Sequence, residues 1–202
     1  CITDVKAVTA IAKERGIITI ADNTFMSPYF MRPIELGVDV VVHSTTKYIN
    51  GHSDIIGGVI ISATEELHLQ MRKYTNAIGT TGSPFDAWLQ LRGVKTLPLR
   101  MEAHQRGAFA IAEFLKSHAK VKKVYYPGLV EHPGHAIIKE QASGFGGIVS
   151  FDIDAKEESL SAFFKSFRIF HLSGSLGGVE SLISQPWSMS HDVMPPDAKL
   201  SA

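Results

Sequence analysis

The chain has a single cysteine, Cys1, among its 202 residues. That excludes an internal disulfide framework and makes a reducing compartment, the cytoplasm, the expected location. No apolar run reaches the ~18 residues that a membrane-spanning helix needs. Neither sign of charge dominates: 20 Lys+Arg against 20 Asp+Glu give a formal net charge of zero. Without a net basic field, neither nucleic acid nor membrane is an expected partner. Repeats and low-complexity tracts are lacking, and Cys1-Ile2-Thr3-Asp4 has no signal-peptide layout. The first residue is not Met, so the chain is read as either processed or a piece of something longer. What is present is ordinary globular composition, 45% hydrophobic and 20% charged, enough for one large domain or two modest ones.

The patterning predicts alternating helices and strands. Val5, Val8, Ile11 and Ala12 recur at helical spacing between Asp4 and Arg15, and Gly16 stops that helix. Ile17 to Ala21 reads as a strand ending at Asp22, Val38 to Val42 as a second ending at His43-Ser44, and Gly57 to Ser62 as a third. Their continuous β-branched runs predict a sheet covered on both faces, and the intervening helices predict an α/β fold with a substantially parallel sheet. Ser83-Pro84 begins a helix ending near Gly93. A long amphipathic helix is expected over Leu99 to Ser117, a strand over Gly147 to Phe151, a helix over Leu160 to Phe167 and a strand over Ile169 to Leu172. A soft domain boundary is placed near Pro98.

In an open α/β sheet, ligands bind beyond the carboxyl ends of the strands. Asp22 closes the first strand and Ser44-Thr45-Thr46-Lys47 the second. If the two strands are parallel, an acid, a lysine and small hydroxyls share one rim. A partly desolvated lysine beside other charges is available as a neutral amine for Schiff-base formation. A carboxylate can accept from a protonated pyridine nitrogen, and Ser44 and Thr46 can bind a phosphate. This set suits pyridoxal phosphate, with Lys47 on the aldehyde, Asp22 on the ring nitrogen, and Ser44 and Thr46 on the phosphate. Spacing alone does not select it: most lysines after strands are surface residues, strand-end aspartates commonly cap helices or anchor loops, and Ser and Thr there are usually turn residues.

The bland readings elsewhere are these. His132 and His135 around Pro133-Gly134 are a turn rather than a metal site. His43 and His52 either make structural hydrogen bonds or tune the lysine between them. Lys120, Lys122 and Lys123 form a solvated face. Tyr48 is either a packing residue or a cofactor contact, and Trp88 with Phe163, Phe164 and Phe167 is read as core.

A resemblance sharpens the reading. Ala21-Asp22-Asn23-Thr24-Phe25, Arg32-Pro33-Ile34-Glu35-Leu36-Gly37-Val38-Asp39, and the run from His43-Ser44-Thr45-Thr46-Lys47-Tyr48 through Gly51-His52-Ser53-Asp54 resemble the Cys/Met-metabolism enzymes that use pyridoxal phosphate. The likeness continues through Leu99-Arg100-Met101-Glu102, Tyr126-Pro127-Gly128-Leu129, Gly144-Phe145-Gly146-Gly147 and Ser175 to Leu182, and ends with Ser188-Met189-Ser190-His191. It implies the α/β fold of the PLP-dependent transferases (aspartate aminotransferase-like, fold type I). Residues 1–98 would be the C-terminal half of the PLP-binding large domain, and residues 99–202 a truncated C-terminal α/β domain.

By the same resemblance, Lys47 is the cofactor-holding lysine and proton shuttle, and Asp22 is the partner of the pyridine nitrogen. Ser44 and Thr46 are phosphate ligands, and Ser175 contacts the substrate carboxylate. The cofactor implied is pyridoxal 5'-phosphate, the substrate a small sulfur amino acid, and the assembly a homotetramer built from dimers. The resemblance begins inside the family's large domain. The family's phosphate-cradling turn, ring-stacking aromatic and carboxylate-binding arginine are not among these residues. The chain alone is therefore expected to be inactive and to expose sheet edges and apolar faces. The residue before Ser175 varies between branches of the family, and Gly174 fits none cleanly. Gly177-Gly178-Val179-Glu180 resembles the cystathionine lyases and γ-synthases more than the methionine γ-lyases. The reading is a C–S lyase of cystathionine or a related substrate, with γ-synthase or methionine γ-lyase as alternatives. A non-catalytic oligomerisation module is the alternative of another class.

Overall fold

A computed structural model describes residues 1–155, 157–189 and 195. The first helix, α1 (Val5–Glu14), starts where Asp4 accepts a hydrogen bond from the Ala7 amide at 2.9 Å. It ends before Gly16, whose φ of +62° suits glycine. Only Thr9 and Ala12 of α1 are buried. The Thr9 hydroxyl donates to the Leu36 carbonyl at 3.0 Å and so pins the helix to the turn beyond the first strand.

The first strand, β1 (Ile20–Asp22), is shorter than the predicted run. Ile17 and Ile18 precede it, and Thr19 is held by Asp39 through its amide at 2.8 Å and its hydroxyl at 2.7 Å. A short helix, α2 (Ser27–Phe30), and a 3-10 turn (Pro33–Leu36) lead to Gly37 at φ +98° and then to β2 (Val40–Ser44). β1 and β2 are parallel, with Asp22 opposite Val42. The third strand, β3 (Gly58–Ser62), returns antiparallel to β2, so the order is β1-β2-β3 and the sheet is mixed rather than substantially parallel. Burial on both faces, expected from the β-branched runs, is concentrated in central β2. β1 and β3 are edges, and Ile20, Ile60 and Ile61 remain exposed.

Helix α3 (Glu65–Ile78) has no counterpart in the sequence reading, although its signals are present. Thr64 accepts from the Leu67 amide at 3.3 Å, Glu65 and Glu66 favour the positive end of the helix dipole, and Gly79 at φ +79° ends it. Helix α4 (Pro84–Gly93) starts as predicted, with Ser83 accepting from the Asp86 amide at 3.1 Å. A 3-10 turn (Val94–Thr96) runs into α5 (Leu97–Lys116), where Pro98 sits in the first turn and needs no N–H.

Beyond α5, β4 (Val121–Tyr125) pairs antiparallel with β5 (Ser150–Ile153), with α6 (His135–Gln141) between them. The basic run forms a solvated face, with Lys120 just before β4 and the other two lysines on it: Lys122 bridges Asp154 at 2.8 Å and Lys123 lies over the Tyr125 ring. Helix α7 (Glu157–Lys165) is followed by β6 (His171–Leu172), which pairs parallel with β7 (Leu182–Ile183), and then by a 3-10 turn (Pro186–Ser188). Ser190 and His191, which end the quoted resemblance, lie outside the described residues.

Helix α5 joins two apolar clusters. Its first turns pack Leu97 and Met101 against Phe30 and Tyr48. Its later turns pack Ala108 and Ala112 against Tyr126 and Leu129. Trp88, expected in the core, is instead exposed beside Phe85 on α4. Phe163, Phe164 and Phe167 form a half-buried aromatic set on and just after α7. No helix among the described residues is long and apolar enough to cross a membrane.

Candidate active site

The carboxyl ends of β1 and β2 carry the rim. In a parallel pair, facing residues project to the same side, so Asp22, Val42 and Ser44 share one face while His43 lies on the other. Asp22 is exposed, and its Oδ1 accepts from the Thr24 amide at 2.9 Å. The Thr24 hydroxyl in turn accepts from the Ser44 amide at 2.8 Å, which ties the two strand ends together. Buried Asn23 reinforces the turn by donating to the Ser27 and Met31 carbonyls at 3.1 and 2.8 Å. The sequence reading assigned no role to Asn23 or Thr24. Their position directly after a strand-end acid was the available signal.

His43 is buried, and among the described residues its Nδ1 has no hydrogen-bond partner. Burial pulls its pKa below the ordinary imidazole value, against a smaller opposing pull from Asp22. His52 donates from Nδ1 to the Asn50 carbonyl at 2.7 Å, a structural hydrogen bond. His132 accepts from the Gly134 amide at 3.0 Å and His135 bonds the Pro127 carbonyl at 2.8 Å, so both build a turn.

Lys47 lies on the tight loop after β2. That loop is closed by Lys47 N to Ser44 O at 3.2 Å, Asn50 N to Thr45 O at 3.1 Å and Gly51 N to Lys47 O at 2.8 Å. Tyr48 is 2% exposed and belongs to the core, where burial pushes its pKa up to about 12. The Thr46 hydroxyl accepts from the Gly57 amide at 3.0 Å and donates to the Gly57 carbonyl at 3.3 Å, closing the connection to β3.

A strap between β6 and β7 crosses the lysine loop. Gly177, at φ +84°, is pressed so close that an added Cβ would stand 2.6 Å from the Tyr48 nitrogen and 2.8 Å from the Lys47 carbonyl carbon. Leu176 packs against the cluster containing Tyr48, and Ser53 donates to Glu180 at 3.2 Å. This seating brings the Ser175 hydroxyl within 2.8 Å of Lys47 Nζ, across 128 residues of sequence. Gly174 is exposed, and a side chain there would meet Met189 at 4.0 Å.

The residues fit a pyridoxal phosphate in chemistry. An amine, a carboxylate and a hydroxyl occupy one sheet rim. Among the described residues nothing bonds the second Asp22 oxygen or the Ser44 hydroxyl, which leaves an acceptor for a ring N–H and a donor for a phosphate oxygen. Thr46 fits less simply, because it must exchange its bond to the Gly57 carbonyl before its hydroxyl can donate elsewhere. A cleft of about 600 Å³ includes Asp22 in its lining, with Val5, Val8, Ile20, Phe145 and Ile148, but not Ser44, Thr46, Lys47 or Ser175.

Known proteins match the chain throughout. A cystathionine gamma-lyase of Dictyostelium discoideum is 48% identical over 198 residues, covering 98% of this chain and 51% of that protein. A cystathionine beta-lyase of Lactococcus lactis subsp. cremoris is 47% identical over 198 residues, covering 98% of this chain and 52% of that protein. The crystal structure of cystathionine gamma synthase from Xanthomonas oryzae pv. oryzae in complex with cystathionine is 51% identical. It superposes with a TM-score of 0.96, covering 100% of this chain and 52% of that one. The chain thus spans about half the length of the relatives it matches. The model for the family described as Cys/Met metabolism PLP-dependent enzyme matches residues 1–202, and the chain belongs to that family.

Proposed function

We propose that the full-length protein carrying this chain is a PLP-dependent carbon–sulfur lyase acting on cystathionine or a related sulfur amino acid. The observation that carries the reading is the 2.8 Å contact between Lys47 Nζ and the Ser175 hydroxyl, on the rim that also bears Asp22. Lys47 would hold the cofactor's aldehyde, Asp22 its ring nitrogen, and Ser44 and Thr46 its phosphate. Pyridoxal phosphate, when bound, supplies an electron-withdrawing ring that stabilises negative charge at the substrate's α-carbon. Once the substrate's own amine has displaced it from the aldehyde, Lys47 Nζ would take the proton from that carbon as general base and could return it as general acid. Ser175 holds the amine on one side and contacts the substrate carboxylate on the other. Asp22 keeps the ring nitrogen protonated by accepting its hydrogen bond.

Residues 1–98 are assigned to the cofactor-binding large domain and 99–202 to the C-terminal domain. The single cysteine supports a reducing, cytoplasmic setting. A homotetramer of dimers rests on the family resemblance.

The γ-synthase reading has its own support. By resemblance, the strap sequence Gly177-Gly178-Val179-Glu180 is like that of both synthases and cystathionine lyases, and the relatives matched over the whole chain include both classes. The test is to offer the purified full-length protein cystathionine, methionine and an activated homoserine ester, and to identify the products. Keto acid and ammonia from cystathionine support the lyase. Cystathionine made from the ester and cysteine moves the assignment to the synthase. No visible absorption band with added cofactor, together with no product, leaves a non-catalytic module.

A further inference from the structure

Arg100, the fourth residue of α5, is 8% exposed, and it has no carboxylate within bridging distance among the described residues. Its guanidinium bonds four neutral acceptors instead. Nη1 donates to the Tyr48 carbonyl at 2.6 Å, and Nη2 donates to the Ile49 carbonyl at 3.2 Å and the Gly93 carbonyl at 3.0 Å. Nε donates to the Thr96 hydroxyl at 3.0 Å. Burying a cation without an anion is costly. The first turn of a helix adds to that cost, because the dipole there is positive. One compensation is local: the Gly93 carbonyl ends α4, where a cation is favoured. The other two carbonyls are those of the two residues directly after Lys47.

The surroundings are shaped to admit this side chain. Gly51, at φ +74°, leaves the space where any Cβ would collide with the guanidinium. Gly93 is pressed against the Asn50 carbonyl, where a Cβ would also collide. Fixing the Tyr48 and Ile49 carbonyls fixes two successive peptide planes. Together with the turn bonds at Lys47 and Gly51, this fixes the direction in which the Lys47 side chain leaves the loop. A lysine at position 100 has one nitrogen and cannot span acceptors arranged as a fork.

We infer that Arg100 is a positioning residue: its guanidinium sets the backbone of Tyr48 and Ile49 and thereby aims Lys47 Nζ, making the start of α5 part of the active-site framework. The consequence for chemistry rests on the reading of Lys47 given above; the restraint on the loop does not.

The test uses the full-length protein and its Arg100→Gln and Arg100→Lys variants. Amide hydrogen exchange is measured without cofactor, and the growth of the visible absorption band is followed after pyridoxal phosphate is added. Exchange at residues 47–51 is expected to quicken about tenfold or more in Arg100→Gln, the scale of losing hydrogen bonds to a charged donor. Exchange in the paired strands β4 and β5 should not change. The band should form more slowly, with Arg100→Lys giving partial rescue. Unchanged exchange at 47–51 overturns the inference, as does an equal rise in the paired strands β4 and β5. Should Arg100→Gln fail to fold, Thr96→Val removes the Nε acceptor, together with the Thr96 hydroxyl's own donation to the Gly93 carbonyl, and leaves the bonds to Tyr48 and Ile49 in place. Faster exchange at 47–51 in that variant supports the inference, and unchanged exchange overturns it. If wild-type protein forms no band at all, the cofactor reading fails while the exchange comparison still decides the role of Arg100.

Discussion

Gly177 rests directly on the peptide that joins Lys47 to Tyr48, backbone against backbone. Both its left-handed φ of +84° and the absence of a Cβ are needed for that seating. Gly177→Ala should therefore lower stability by roughly 1–2 kcal/mol from the conformation alone. It should also lift the strap and part Ser175 from Lys47. Thermal unfolding reads the first effect. A fall in kcat/KM of about tenfold or more, equivalent to ~1.4 kcal/mol, reads the second in the full-length protein.

Lys47→Ala should abolish turnover while leaving the phosphate contacts able to dock the cofactor. The absorption spectrum would then be that of the free aldehyde rather than the lysine-bound form. Asp22→Ala should keep the covalent spectrum and lose activity on the order of 100-fold, as when one preorganised electrostatic partner is removed. Full activity in Lys47→Ala would end the proposed mechanism.

Met101 is fully buried at the junction of α5 with Tyr48, Phe30 and Leu97. Met101→Ala should cost about 2–5 kcal/mol, through lost burial and the cavity left behind. Denaturant midpoints should fall with the slope unchanged. Because the same cluster backs the lysine loop, exchange at residues 47–51 should rise as well.

Acid should destabilise the fold through one buried and one half-buried histidine. His43 is held below the ordinary value of 6.5 by burial, and His104 by burial and then by nearby Arg100. In both, the unfolded chain binds a proton more readily than the folded one. Their stabilising effect is thus complete above pH 6.5 and declines as pH falls toward the lower folded values. Replacing both by Asn should flatten the fall in melting temperature between about pH 6.5 and 5.

Much of this architecture is legible in local chemistry. Ser83 caps α4 as read, and Asp4, read only as the start of a helix, caps α1, because a cap needs only the residue and the amides two or three positions on. The β-branched runs place β1, β2 and β3. The mixed direction of the sheet was not visible, because a strand's pattern carries no sign of its partner's orientation. Helix α3 went unread although Thr64 and Gly79 bracket it and Leu67, Met71, Tyr74 and Ile78 recur at helical spacing; that stripe is diluted by charged and polar neighbours, and the helix buries no residue. β4 read as a basic run because its lysines lie on a solvated strand.

By itself the sequence determined the rim. A strand ending at Asp22 and another ending before Lys47 follow from hydrophobic runs and their polar stops, and the resemblance supplied their chemistry. Only the tertiary structure decided what holds that amine in place. Arg100 reaches the loop from 52 residues away and Ser175 from 128. Such pairings arise from the packing of α5 and the strap against the loop after β2, and local patterning, which extends over a few residues, carries no record of them.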